Sequence, residues 1–442
     1  MSKKTNKQLE RDEQIYQLST LVAGRFSLQE ALDKLAEAAV KITGTTACSI
    51  RVLDEDAGEL KMRSTYGLSE EYRNKGEVSK NDTVIKAAFA GQAVVLDDMR
   101  VDDRVKYKQA SIKEGLVSQL TVAMLFREKA IGVLRLYSPE PRRFNQEAIQ
   151  LARAVASQCA VAITNARLYA EAIEGARVAE QMRVAGIVQR RMIPEKAPHS
   201  PGLDIAAQYI PCFDLGGDFY DFFKPDEDQF VVVIGDVMGK GIPAALMMSC
   251  FRGAVRAYAD SARSFQAAME TFAAVKGRKA LVKKAIEKVN RMACKECRDG
   301  EFITLFYALI DMKERIMTYC SCGHEPTVLI REGQITSLEK GGLVLGVDSN
   351  AEYEIGVVEL EEGDSLLFYT DGLIDAANFD GDLWGRDRML ETATKQADAS
   401  AATMVSNILR YRRRFVGLAK QIDDTSIVVV KADRAAGMDS ED

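Results

Sequence analysis

The chain is short of several things: it has two histidines, one tryptophan and nine prolines in 442 residues. It contains no run of 18 uninterrupted apolar residues, so no segment is expected to span a membrane. The stretch Met1 to Glu13 is polar and has no apolar core, which excludes a secretory signal and leads us to expect a cytosolic protein. No long basic run accompanies the mild net charge of −6, which argues against nucleic acid as the main partner. Internal repeats and low-complexity tracts are also missing. Cysteine is not scarce, at eight, but in a chain without a signal the thiols are expected to stay reduced. Cys294-x-x-Cys297, Cys320-x-Cys322 and His324 have the wrong spacing in the second pair for a zinc knuckle. They read instead as a helix end and an alternating strand. The chain does have 47% apolar residues, enough for real cores in two or three domains.

The N-terminal half alternates helices and hairpins. Residues 1–20 read as a lead-in helix. Ser27-Leu28-Gln29-Glu30 is a capping box, followed at helical spacing by Leu28, Leu32, Leu35, Ala39 and Ile42 and closed by Gly44. Two alternating runs, Ala47–Leu53 and Glu59–Tyr66, form a hairpin. A short helix near Thr83–Ala90, a strand at Ala93–Leu96 and a second hairpin, Gln119–Phe126 with Ala130–Tyr137, follow. This order resembles a GAF domain over about residues 21–170, which implies a sensory module that pockets a small ligand or partner. Asn74-Lys75 is not followed by the Phe-x3-Asp-Glu of cyclic-nucleotide-binding GAF domains, so that ligand has no support. Cys48 and Cys159 read as small core residues rather than as chromophore or redox sites.

From Asn145 a helix is expected to run to about Met192, about 70 Å at 1.5 Å per residue, longer than one domain can bury. Ala166, Tyr169, Ile173 and Ala176, then Val184 and Ile187, approximate a heptad seam interrupted by Glu180. We read residues 171–195 as a helical linker that pairs two chains in a homodimer. Pro194, Pro198 and Pro201 then mark a boundary. Residues 196–432 are strand-rich with helices at Pro243–Tyr258 and Ala280–Lys295, an α+β architecture with a β-sandwich flanked by helices. Residues 433–442 read as a polar tail.

Four aspartates at strand ends carry the chemistry: Asp218, Asp236, Asp371 and Asp423. Unpaired carboxylates are costly to bury, and their local sequence offers no matching cation. Hard oxygen ligands of this kind suit Mg²⁺ or Mn²⁺. A hairpin centred on Glu227 would set Asp218 directly opposite Asp236, unless a bulge shifts the register. Local sequence does not say that Asp371 and Asp423 join them. Taken singly, Asp and Gly at strand ends are ordinary turn chemistry.

Together the phrases Gly216-Gly217-Asp218-Phe219-Tyr220-Asp221, Gly235-Asp236-Val237-Met238-Gly239-Lys240-Gly241, Cys322-Gly323-His324-Glu325-Pro326, Tyr369-Thr370-Asp371-Gly372-Leu373 and Asp423-Asp424-Thr425 resemble, in order, the PPM-type Ser/Thr phosphatases. The closest branch is the bacterial SpoIIE type, which regulates sigma factors. The resemblance covers about residues 190–431. It implies two Mn²⁺ or Mg²⁺ ions held by Asp218, Asp236, the Val237 carbonyl, Asp371 and Asp423, with Asp424 in support. It also implies hydrolysis of phosphoserine on a separate anti-anti-sigma (STAS) protein. His324, Lys240, Asp221 and Asp375 are secondary candidates: a general acid or packing histidine, a phosphate contact, and two supporting carboxylates. Two other readings stand beside this one. One is a non-catalytic GAF-coupled regulatory scaffold. The other is a nucleotide cyclase, prompted by Gly216-Gly217-Asp218 but disfavoured because Phe219 replaces the expected Glu.

Overall fold

The computed structural model describes residues 27–141, 144–267 and 275–433; the lead-in helix expected at 1–20 and the tail beyond 433 lie outside the described residues. The chain divides into two units, Met1–Arg177 and Val178–Asp442.

In the first unit helix α1 (Leu28–Thr43) begins at the expected capping box. The Ser27 hydroxyl accepts from the Glu30 N–H, and the Glu30 carboxylate accepts from the Ser27 N–H at 2.8 Å. Gly44 ends the helix at φ 60°, the left-handed conformation that glycine adopts freely. There follow strands β1 (Ala47–Asp54) and β2 (Glu59–Tyr66), helices α2 (Glu70–Arg73) and α3 (Thr83–Phe89), strand β3 (Val94–Leu96), helix α4 (Lys108–Lys113), and strands β4 (Ser118–Phe126) and β5 (Lys129–Ser138). The antiparallel sheet runs β2-β1-β5-β4-β3. Strand alternation sorts its faces. Cys48, Ile50, Leu134 and Leu136 pack with Leu32 and Leu35 of α1, whereas Ala47, Val133 and Tyr137 pack with Tyr72, Val84 and Ile85 of the short helices. Cys48 and Cys159 are fully buried, and burial pushes the Cys159 thiol up to about 12, so both are unreactive core residues.

Helix α5 (Gln146–Arg190) is 45 residues long and starts where Asn145 accepts the Ala148 N–H at 2.8 Å. Every residue from Glu171 to Gln181 is exposed, as are Tyr169, Val184 and Val188.

The second unit contains strands β6 (Leu203–Ile210), β7 (Phe219–Asp226) and β8 (Gln229–Val237), helices α6 (Ile242–Ala267) and α7 (Val275–Glu296), and strands β9 (Ile303–Asp311), β10 (Ile316–Cys322), β11 (Thr327–Arg331), β12 (Gln334–Leu338), β13 (Gly341–Gly342), β14 (Gly356–Glu359) and β15 (Ser365–Tyr369). Helices α8 (Asp371–Ile374), α9 (Gly385–Thr394) and α10 (Ala401–Val416) and strand β16 (Thr425–Ala432) complete it. Its strands form two sheets, β13-β10-β9-β8-β7 with β14 beside β10, and β12-β11-β15-β16-β6. Phe306, Ile310 and Ile234 meet Phe368, Val428 and Val430 in one core between the sheets. The alternate residues of the second sheet, Leu367, Tyr369, Ile427 and Val429, turn outward onto Met389, Met404 and Ile408 of α9 and α10. On the first sheet, Met248, Phe251, Val282 and Ile286 of α6 and α7 cover the other face. The unit is thus a β-sandwich with helices on both outer faces, as expected. The four cysteines considered for zinc lie on the end of α7 and on β10, where Cys320 and Cys322 are fully buried.

Candidate functional site

The site grows from the β7–β8 hairpin. Phe219 pairs with Gly235, Tyr220 with Ile234 and Phe223 with Val231. Continued one step, this register sets Asp218 opposite Asp236. A bulge does occur, but it lies between Phe223 and Asp226 near the turn and leaves the register at the mouth of the hairpin intact. The other sheet brings its aspartates to the same place by a long-range pairing. Tyr369 pairs with Ile427, so Asp371 leaves β15 beside the entry to β16, where Asp423 and Asp424 lie.

Hydroxyl groups tie the two sheets together at Asp218. Thr370 Oγ1 donates to Asp218 Oδ2 at 2.6 Å and Ser426 Oγ donates to the same oxygen at 3.1 Å. These donors soften the burial of Asp218 but do not neutralise it. Burial first, then Asp236 and Asp424, hold its carboxyl well above the usual range. Asp236 is pushed up to about 6, chiefly by burial and next by the charge of Asp371. Asp371 is raised by burial and by Asp423. Mutual repulsion in a desolvated place is what a bound cation would relieve.

Asp424 has a different job. Its Oδ1 accepts the Cys212 N–H at 2.8 Å and its Oδ2 the Gly217 N–H at 2.7 Å, so both oxygens shape the loop before Asp218. A Cβ on Gly216 would lie 2.2 Å from Asp424 Oδ2, and one on Gly217 would lie 2.7 Å from the Val237 carbonyl oxygen and 3.6 Å from Asp236 Oδ1. The glycines therefore let the loop close onto the carboxylates and the Val237 carbonyl. All-oxygen donors of this type fit Mg²⁺ or Mn²⁺. Among the described residues no three His, Cys, Asp or Glu side chains close on one point as they stand.

The secondary candidates separate. Lys240 does not reach toward a helix start; its ammonium lies 2.8 Å from Asp423 Oδ2 and also donates to the Ile422 carbonyl. His324 is buried behind Asp236. Its Nδ1 is 2.8 Å from Thr304 Oγ1, which lies 3.5 Å from the Asp236 carbonyl, and burial pushes the imidazole down to about 4. A neutral, enclosed imidazole is poorly suited to give up a proton near neutral pH. Asp221 points away from the cluster and is clamped by Arg252 at 3.0 Å and Arg256 at 2.5 Å, joining β7 to α6. Asp375 lines a cavity of about 480 Å³ beside the cluster. Gly372 and Asp423 share that cavity with Arg410, Arg412 and Lys420. The buried Arg412 guanidinium donates to the Gly372 carbonyl at 3.0 Å and to Thr425 Oγ1 at 3.1 Å.

One residue escaped the sequence reading. Gln189, near the end of α5, is buried; its Nε2 donates to the Gly216 carbonyl at 2.8 Å and its Oε1 accepts the Gly216 N–H at 3.1 Å. The same Nε2 lies 3.4 Å from the Ala245 carbonyl of α6. A cross-strand-like clamp thus fixes the loop that carries Asp218. A glutamine on a polar helix gives no local signal of this; only the buried Gly186 nearby, where a Cβ would lie 2.0 Å from the Asp214 carbonyl oxygen, marks the close approach.

Residues 226–433 match the family model of stage II sporulation protein E (SpoIIE), and residues 27–164 match that of the GAF domain. The chain is 30% identical to the phosphoserine phosphatase RsbU of Bacillus subtilis (strain 168), over 52% of this chain and 64% of that protein. It is 30% identical to the protein IcfG of Synechocystis sp., over 55% of this chain and 40% of that one. The chain thus spans less than two thirds of the length of these curated relatives. A solved structure, the SiaA-PP2C domain of Pseudomonas aeruginosa, aligns with a TM-score of 0.49 at 17% identity, over 59% of this chain and 99% of that one. The chain accordingly carries a SpoIIE-type domain at residues 226–433 behind a GAF domain at residues 27–164.

Proposed function

We propose that the chain is a metal-dependent phosphoprotein phosphatase, hydrolysing phosphoserine on a separate STAS-type anti-anti-sigma protein under the control of its GAF domain. The observation that carries this reading is the facing pair Asp218 and Asp236, met by Asp371 and Asp423 from the other sheet, all at one end of the sandwich. Two Mn²⁺ or Mg²⁺ ions on Asp218, Asp236, the Val237 carbonyl, Asp371 and Asp423 would supply a hydroxide nucleophile and stabilise charge on the phosphoryl group. The chain's own residues prepare that place. Thr370 and Ser426 orient the Asp218 carboxylate, and Asp424 with Gln189 holds the loop that bears it. Arg410, Arg412 and Lys420 line the adjoining cavity and give an anionic phosphoprotein a positive approach. His324 and Asp221 support β8 and α6 rather than touch the reacting group.

The phosphoserine assignment is supported by the likeness to the phosphoserine phosphatase RsbU and to a second relative, the phosphoserine phosphatase RsbP of the same organism. The STAS substrate follows from the SpoIIE-type resemblance. A homodimer is supported by the exposed Tyr169, Ile173 and Val184 along α5, which a second copy would cover. No helix among the described residues is long and apolar enough to cross a membrane, in keeping with a cytoplasmic site of action. Control by the GAF domain would act through unequal affinity of its ligand for active and inactive states, with Gln189 as the point where α5 meets the metal-bearing loop.

The test is hydrolysis of p-nitrophenyl phosphate with Mn²⁺, comparing the full chain with Asp236→Asn and Asp371→Asn. Metal-dependent turnover that disappears in both variants supports the phosphatase. No turnover together with no Mn²⁺ binding by calorimetry would overturn it and leave the GAF-coupled scaffold.

A further inference from the structure

The first unit encloses basic side chains that form no ion pair among the described residues. Arg51 on β1 and Arg135 on β5 lie on the sheet face that meets the short helices. The register pairs Ser49 with Arg135 and Arg51 with Val133, so the two arginines are diagonal neighbours. On its other side Arg135 pairs with Thr121 of β4. A buried arginine normally faces a carboxylate; here both flanking partners are hydroxyl residues. Arg135 is only 8% exposed, and its Nε has no hydrogen-bond partner. Arg51, 4% exposed, spends Nη1 on the Leu60 carbonyl at 3.0 Å. A third cation joins them: the Lys75 ammonium stands 3.2 Å from the centre of the Tyr72 ring and 5.9 Å from that of Tyr137.

The nearby carboxylates accept other donors, although the charge of Glu114 still acts on Lys75. Asp82 accepts the Ser79 N–H, and Glu114 accepts both the N–H and the hydroxyl of Ser69. The electrostatics show the crowding. Burial, then Arg135 and Arg51, push Lys75 down to about 6, and burial lowers Arg51 as well. Lys75, Arg135, Gln119, Tyr72 and Tyr107 line a cavity of about 40 Å³; Asp82 also lines it, opposed there by the further cations Arg104 and Lys106. One ordered water needs roughly 10–15 Å³ by this measure, so the space suits a few waters or one small polyatomic ion and is too small for a nucleotide.

We propose that this cavity takes a small oxyanion, a phosphate or a short carboxylate, bound by Arg135 and Lys75. An oxyanion would supply the missing acceptors for the Arg135 fork and favour the protonated form of Lys75 beside it. Gln119 and Tyr107 stand at the same wall as further polar contacts.

The experiment is isothermal calorimetry and thermal unfolding of the full chain in chelator, at constant ionic strength held with sodium chloride. Sodium phosphate and sodium acetate are titrated separately into wild type, Arg135→Met and Lys75→Met. We expect at least one of the two anions to bind wild type and raise its unfolding temperature, and each variant to lose that binding at least tenfold. Phosphate alone, or acetate alone, identifies the source of the oxyanion. Without anion, Arg135→Met should unfold at or above the wild-type temperature, because it removes an uncompensated charge. The proposal fails if neither anion binds, if both variants bind as wild type does, or if the anion-free Arg135→Met protein is markedly less stable while Lys75→Met keeps full binding. Turnover with Mn²⁺ is measured in parallel and is independent of these outcomes.

Discussion

The two units have opposite electrostatic problems. The C-terminal unit gathers Asp218, Asp236, Asp371 and Asp424 at buried or half-buried strand ends, with the Lys240 ammonium reaching only Asp423. The N-terminal unit sets Arg51 and Arg135 on one sheet face with Lys75 from the loop above it, and none of the three forms an ion pair among the described residues. Elsewhere the chain pairs its buried charges in the ordinary way, as Arg278 with Asp311 at 2.5 Å and Asp221 with Arg252 and Arg256. Among the described residues these are the two places where several buried or half-buried charges of one sign gather, and the lack at each suggests its ligand: cations for the first, oxyanions for the second.

The sharpest way to break this contrast is Asp236→Asn. We expect Mn²⁺-dependent turnover to fall by on the order of 10³-fold, while the unfolding temperature in chelator stays level or rises because a repelled carboxylate is gone. A variant that loses activity and also melts far earlier would mean that Asp236 is structural.

Opposite pH trends form the next test. Asp236 titrates near 6 when folded against an ordinary 3.8, so the folded state holds a proton that the unfolded chain has released. Stability from this group is full below about pH 4 and is lost as pH rises through 6 in chelator. Lys75 titrates near 6 when folded against an ordinary 10.5, so there the unfolded chain holds the extra proton. The N-terminal unit should gain stability as pH rises from about 6 toward 10. Urea unfolding at stepped pH, followed by probes in each unit, separates the two; trends of the same sign would end the comparison.

Gln189→Ala should have a smaller effect, about tenfold, and should weaken apparent Mn²⁺ affinity more than it lowers turnover at saturating metal, because the clamp positions the Asp218 loop without touching substrate. Equal Mn²⁺ dependence in variant and wild type would deny it that role. The smallest effect belongs to Lys240→Met. Its partly exposed ion pair with Asp423 is worth about 0.2–1 kcal/mol, so its removal should tighten Mn²⁺ binding by no more than a few-fold, as read by calorimetry.

The sequence disclosed those parts of this contrast that depend on local counting. Asp218 and Asp236 could be set opposite one another because both strands alternate and the turn between them is short. The capping box at Ser27 and both N-terminal hairpins were legible for the same reason. Asp371 and Asp423 meet through the pairing of β15 with β16, which only the fold supplies; the family's motif order stood in for it. Lys240 looked like a phosphate contact because it sits in a glycine-rich turn, yet its nearest anion comes from the far end of the unit. Arg51 and Arg135 become neighbours only through the β1–β5 register, which local sequence does not supply. Strand β6 and helix α9 give short or weakly periodic signals and were not separable from sequence, whereas α10, with Ser400 as cap and Ala401, Met404, Val405 and Ile408 at helical spacing, carries a signal that the sequence reading passed over.

The bulge between Phe223 and Asp226 has a practical side. Because the strand pairing on the site's side of it is unbroken, changes in the Glu227-Asp228 turn should be absorbed before they reach the facing aspartates. That turn is therefore the place to insert an affinity tag or a fluorophore for following the protein in cells, and the opposite end of the same hairpin is where a single inserted residue would swing Asp218 to the wrong face of its strand.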